Sequence, residues 1–165
     1  MRAAISTRRS LAPCNDWTPQ PLRDYLSTLQ DLMKNGDKGP PVVMVVDDDA
    51  DILKTLAAIF REEGFETLVA MNGVEALFLL SQRPRPALIV LDLMMPEMDG
   101  IELAERLGSD KQLSTIPLLL FSANDHVAEH ARTLGAVGHI AKPADLDKLL
   151  GLVHGAIDTS ARRRA

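Results

Sequence analysis

Leu88-Ile89-Val90-Leu91-Asp92-Leu93-Met94-Met95-Pro96-Glu97-Met98-Asp99-Gly100 is the stretch that decides how this chain folds. Its first four residues form an apolar run of the kind that makes a buried parallel strand, with no polar alternation to mark a solvated face. Asp92 then falls at the carboxyl end of that strand, just before a turn. Open α/β sheets place their ligands and their chemistry at this edge. An earlier apolar run, Val42 to Val46, also ends in acids, Asp47, Asp48 and Asp49. Two strands therefore deliver carboxylates to one edge.

Working outward, short apolar runs alternate with helical patterns from Pro41 onward, which is the mark of βαβ units and a parallel sheet, an α/β fold. The strands are predicted at Val42 to Val46, Glu66 to Ala70, Ala87 to Leu91, Pro117 to Phe121 and Gly138 to Ala141. The second is short and less apolar, which suits an edge. The first helix follows Asp49, turns Ile52, Leu53, Leu56, Ile59 and Phe60 inward and stops at Gly64. The second follows Asn72 with Val74, Leu77 and Phe78 inward, and the third runs from Ile101 to Leu107. The fourth covers about Asp125 to Leu134, and the last packs Leu146, Leu149, Leu150 and Val153.

The 165 residues suit one domain with tails, 41–157 being the domain, 1–40 an extension and 158–165 a basic tail. The extension is rich in proline, and Leu22, Tyr25, Leu26, Leu29, Leu32 and Met33 recur there at helical spacing, predicting an amphipathic helix over about 20–34 for docking or dimerisation. A net charge of −5 argues against broad nucleic-acid binding. Cys14 is the single cysteine, so no internal disulfide forms, and a reducing cytoplasm is the simplest location. No stretch is long and apolar enough to span a bilayer. The few residues after the last predicted helix leave no room for a DNA-binding output domain, so output is expected to pass by contact.

Asp47, Asp48 and Asp92 at one rim repel unless a cation intervenes. Hard oxygen donors suit Mg²⁺, which keeps water or phosphate oxygens in its remaining positions. Two further strand ends supply the complement: Leu118-Leu119-Leu120-Phe121 leads to Ser122-Ala123, and His139-Ile140-Ala141 leads to Lys142-Pro143. A nucleophilic acid, a metal, a hydroxyl and an ammonium are what phosphoryl transfer asks of a protein, because positioning and charge neutralisation supply most of the catalysis.

On these residues the chain resembles the receiver domain of two-component response regulators, the stand-alone, CheY-like type, over residues 41 to about 157. The resemblance implies a flavodoxin-like doubly wound sheet in strand order 2-1-3-4-5 with five flanking helices. It implies that Asp92 accepts a phosphoryl group from a histidine kinase or a phosphotransfer protein. It implies Mg²⁺ held by Asp48, Asp92 and the backbone carbonyl of Met94, with Asp47 assisting through water, and phosphoryl oxygens met by Ser122 and Lys142. A cis peptide before Pro143 is expected, and a switch pairing Ser122 with His139, where histidine replaces the more usual aromatic ring. Met94 and Asn124 stand where the family tunes the lifetime of the phosphoryl group. A downstream protein is expected on the face of the fourth helix, fifth strand and fifth helix, and a homodimer is a candidate assembly.

Competing readings exist for single residues. Asp49 directly precedes a helix and serves as a cap. His126-Val127-Ala128-Glu129-His130 matches H-x-x-E-H, a zinc motif, but no third ligand is evident. Asp47-Asp48-Asp49 also reads as the D-x-D of a haloacid-dehalogenase-like phosphatase, which would leave Asp92 and its turn unexplained. A receiver used as a scaffold without phosphorylation is the remaining alternative.

Overall fold

The computed structural model describes residues 39–164. The expected extension, its helix over 20–34 and Cys14 lie outside the described residues. Within them, five parallel strands, β1 (Val42–Val46), β2 (Glu66–Ala70), β3 (Leu88–Leu91), β4 (Leu118–Ser122) and β5 (Gly138–Ala141), alternate with five helices. These are α1 (Ala50–Glu62), α2 (Gly73–Gln82), α3 (Gly100–Ser109), α4 (Val127–Thr133) and α5 (Leu146–Arg164).

The sheet runs β2-β1-β3-β4-β5, a flavodoxin-like order. The chain steps from β1 outward to β2, then crosses back to lay β3 on the other side of β1. Val46 of β1 is in register with Leu91 of β3, so Asp47 and Asp92, one residue further along each, leave the sheet side by side. Strand alternation divides the core in two. Val43, Val45, Leu88, Val90, Leu119 and Phe121 meet Leu53, Leu56 and Phe60 of α1 and Leu149 and Val153 of α5. Met44, Val46, Ile89, Leu91, Leu118 and Leu120 meet Ala76 of α2, Leu103 and Leu107 of α3 and Val127 and Ala131 of α4. Both faces of β1, β3 and β4 are thereby covered, which is why those runs are aliphatic throughout.

Local chemistry starts the helices where the sequence predicts. The Asp49 carboxylate accepts from the N–H groups of Asp51 and Ile52 at 2.8 and 3.2 Å, and Asn72 and Asp99 cap α2 and α3 in the same way. The structure corrects four expectations. Val74 and Phe78 face outward, 50% and 64% exposed, while Ala76 fills the inner position of α2 with Leu77, Leu79 and Leu80 packed beside it. Leu146 is exposed rather than packed, leaving Leu149 and Val153 as the anchors of α5. That helix also continues past residue 157 to Arg164, for nothing in Asp158-Thr159-Ser160-Ala161 stops a helix. The fourth helix is shorter than predicted, because Asp125 and His126 lie in the turn closed by the Asn124 side chain on the His126 N–H at 2.7 Å.

Candidate functional site

Each site residue stands on the last residue of a strand or just beyond it. β1 delivers Asp47 and Asp48, β3 delivers Asp92, β4 ends in Ser122 and β5 is followed by Lys142. Asp47, Asp92 and Ser122 are the buried polar side chains among the described residues. Buried charge is costly unless paired, and the pairing here is close. Lys142 Nζ donates to Asp47 Oδ2 at 2.5 Å and to Asp92 Oδ2 at 2.6 Å. Asp92 Oδ1 accepts from Ser122 Oγ at 2.6 Å and from the Met94 N–H at 3.2 Å, and Asp47 Oδ1 accepts from the Asp49 N–H at 3.0 Å. The peptide bond between Lys142 and Pro143 is cis, as expected.

The electrostatics follow from two carboxylates facing one ammonium. Burial pushes the Asp47 carboxyl above its ordinary value, and the hydrogen bonds from Lys142 and the Asp49 N–H only partly offset it. Burial alone would lower Lys142, but hydrogen bonds to Asp47 and Asp92 hold it above its ordinary value. Both shifts are upward, that of Asp47 from burial and that of Lys142 from its two carboxylate partners.

Asp48 is exposed, and it completes a group of three carboxylates whose oxygens lie within 4.8 Å of one another. Among the described residues it is the one cluster of three or more metal-ligand side chains. His126 and His130 belong to no such cluster; His126 Nδ1 lies 3.8 Å from Glu129 Oε2, an exposed helix-surface pair. The donor set of the three aspartates, hard anionic oxygens with one carboxylate facing solvent, fits a divalent cation such as Mg²⁺. Asp145, the first acid after Lys142, caps α5 by accepting from the Asp147 N–H at 2.9 Å.

His139 is exposed on β5, in register with Leu120, and makes no hydrogen bond to Ser122. Sequence reasoning missed Phe121, whose ring centroid lies 5.0 Å from Lys142 Nζ and steadies the ammonium from below. Its position one residue before Ser122 was the available signal, since it places the ring at the same strand end. Reasoning also missed the packing of Met98 against Gly73, which brings α2 to the loop after Asp92.

The profile of the response regulator receiver domain matches residues 43–154. The chain belongs to the response regulator receiver family. Among curated relatives, this receiver is 36% identical over 108 residues to the sporulation initiation phosphotransferase F of Bacillus subtilis, covering 65% of this chain and 86% of that protein. It is 37% identical over 113 residues to the response regulator MprA of a Mycobacterium species, covering 67% of this chain and 48% of the relative. The match to the regulatory protein AtoC of Escherichia coli, at 32% over 122 residues, covers 74% of this chain and 26% of that protein. The receiver thus spans about a half and a quarter of the latter two. A solved response regulator receiver protein from Pseudomonas putida superposes with a TM-score of 0.67 at 29% identity, covering 72% of this chain and 98% of that one. Chemotaxis protein CheY4 of Vibrio cholerae superposes with a TM-score of 0.65 at 25% identity, covering 72% and 99%. Among the described residues no helix is long and apolar enough to cross a membrane.

Proposed function

We propose that this receiver works as a phosphoacceptor in a two-component phosphorelay, with Asp92 as the residue that takes the phosphoryl group. The observation that carries the reading is the bridging of Asp47 and Asp92 by Lys142 Nζ, with the Ser122 hydroxyl on the other oxygen of Asp92. An oxygen of Asp92 attacks the phosphorus of a phosphohistidine on a kinase or phosphotransfer protein. The new P–O bond forms as the P–N bond breaks, and the imidazole leaves with the electron pair and is neutral once protonated. Lys142 and Ser122 already touch the carboxylate and pass to the oxygens of the acquired group, neutralising charge where it develops. Asp48, Asp92 and the Met94 carbonyl would hold Mg²⁺, with Asp47 assisting through water, and the ion would screen the repulsion between phosphoryl and carboxylate oxygens. In this reading the same groups let the domain catalyse its own phosphorylation and its later hydrolysis.

The new dianion biases a two-state face, α4, β5 and α5, which a downstream protein reads. Intact-mass spectrometry with acetyl phosphate tests the acceptor. Wild-type protein gains one phosphoryl mass only with Mg²⁺, and Asp92→Asn gains none. Unchanged mass in folded wild type with several donors would leave a scaffold, and steady phosphate release dependent on Asp47 but not Asp92 would favour a phosphatase.

A further inference from the structure

The chain between Leu93 and Gly100 is closed on itself by the Gly100 N–H, which donates to the Leu93 carbonyl oxygen at 3.1 Å. Its outer side is held from a different element. The Gly73 N–H, at the first residue of α2, donates to the Met98 carbonyl oxygen at 3.1 Å, and Asn72 Nδ2 donates to Glu97 Oε2 at 3.3 Å. The Met98 side chain is buried directly against Gly73. A Cβ at that position would stand 2.6 Å from Met98 Cγ, 2.7 Å from Sδ and 3.0 Å from Cβ. Glu97 sits at φ 67°, a conformation that a residue with a side chain does not choose by itself. The loop therefore keeps its shape through its contacts, and α2 supplies those on the far side.

We propose that Gly73 and Met98 form a clamp through which α2 sets the position of the loop carrying Met94, and so the affinity of the acidic site for Mg²⁺. This rests on the reading of Asp48, Asp92 and the Met94 carbonyl as the metal's ligands. Gly73 and Met98 touch none of the carboxylates, so they are positioning residues. The Asp92 end of the loop is fixed by its strand, whereas the span from Met94 to Met98 has no strand partner. Shifting Met98 moves that span against Asp92, and outer contacts of this kind commonly change metal affinity by about 10-fold or more.

The test is Mg²⁺ titration by calorimetry on the full chain, with melting curves in EDTA and in Mg²⁺, for Gly73→Ala, Met98→Ala and the double variant. Alanine is a better helix former than glycine, so Gly73→Ala does not weaken α2 as a helix. The expected result is an affinity for Mg²⁺ about 10-fold lower in Gly73→Ala, with a smaller Mg²⁺-induced rise in Tm. The double variant removes Cγ and Sδ, the two atoms the new methyl meets most closely, and keeps the bond from the Gly73 N–H to the Met98 carbonyl, so it recovers most of the loss, a coupling that independent structural damage would not produce. Asn72→Ser keeps the helix cap but drops the amide on Glu97, and it shifts affinity in the same direction should Gly73→Ala fail to fold. Wild-type affinity in Gly73→Ala and Asn72→Ser overturns the clamp, as does a loss that persists in the double variant. Failure of the wild type itself to bind Mg²⁺ overturns the metal reading and the clamp together.

Discussion

Lys142 is 14% exposed at its side chain and is the counter-charge for two buried aspartates. Replacing it with alanine leaves both without a cation, and stranding buried charge in this way costs about 3 kcal/mol. In metal-free buffer, urea denaturation of Lys142→Ala should show that loss, and added Mg²⁺ should return part of it. Asp47 behaves in the opposite sense. Its carboxyl is held above its ordinary value by burial, so the folded protein binds that proton more tightly than the unfolded chain does. Stability then falls as pH rises through its titration, and the charged form is a burden at neutral pH. Asp47→Asn should therefore melt higher than wild type in EDTA while losing response to Mg²⁺. A lower Tm than wild type would contradict this account of the buried carboxylate.

At the scale of elements, the sequence was most legible where an apolar run meets a hard boundary. β1 begins after Pro41 and stops before Asp47, and β5 runs from Gly138 to the residue before the Lys142-Pro143 pair; both take their predicted bounds. α2 was legible as a helix but not in its orientation. Val74, Ala76, Leu77, Phe78, Leu79 and Leu80 are apolar nearly all round, so no periodicity selects a face. What selects it is the anchoring of Gly73 to Met98, a contact with a segment some 25 residues away that no local pattern encodes. Phe78→Ser should accordingly change stability by less than about 0.5 kcal/mol, whereas Leu103→Ala on α3 should cost about 3 kcal/mol. Gly100 carries a stricter constraint. A Cβ there would overlap the Asp92 carbonyl oxygen and lie 2.8 Å from Leu93 Cα, so Gly100→Ala should cost about 2 kcal/mol by chemical denaturation.

For the whole molecule, the rim was legible as a set of strand ends, because a parallel sheet brings all carboxyl ends to one edge. Which atoms would touch was not. The sequence placed an ammonium near three acids; that it straddles Asp47 and Asp92, leaving Asp48 to solvent, depends on the twist and register of four strands. The titration of Lys142 extends the consequence to overall stability. Its value lies above the ordinary 10.5, so its contribution is complete below that pH and is lost only as pH climbs through the raised value. Unfolding free energy measured from pH 9 upward should decline more steeply in wild type than in Lys142→Ala, which has no such group to titrate.

Lys142 stands 50 residues after Asp92 and 95 after Asp47. Synthesis proceeds from the amino end, so a chain emerging from the ribosome presents Asp47 and Asp92 long before the residue that neutralises them. The acidic rim of such a partial chain has no ammonium to gather it and no fifth strand to hold β4 in place. In the proposed reading, therefore, the acceptor site is complete only once the last strand is laid down.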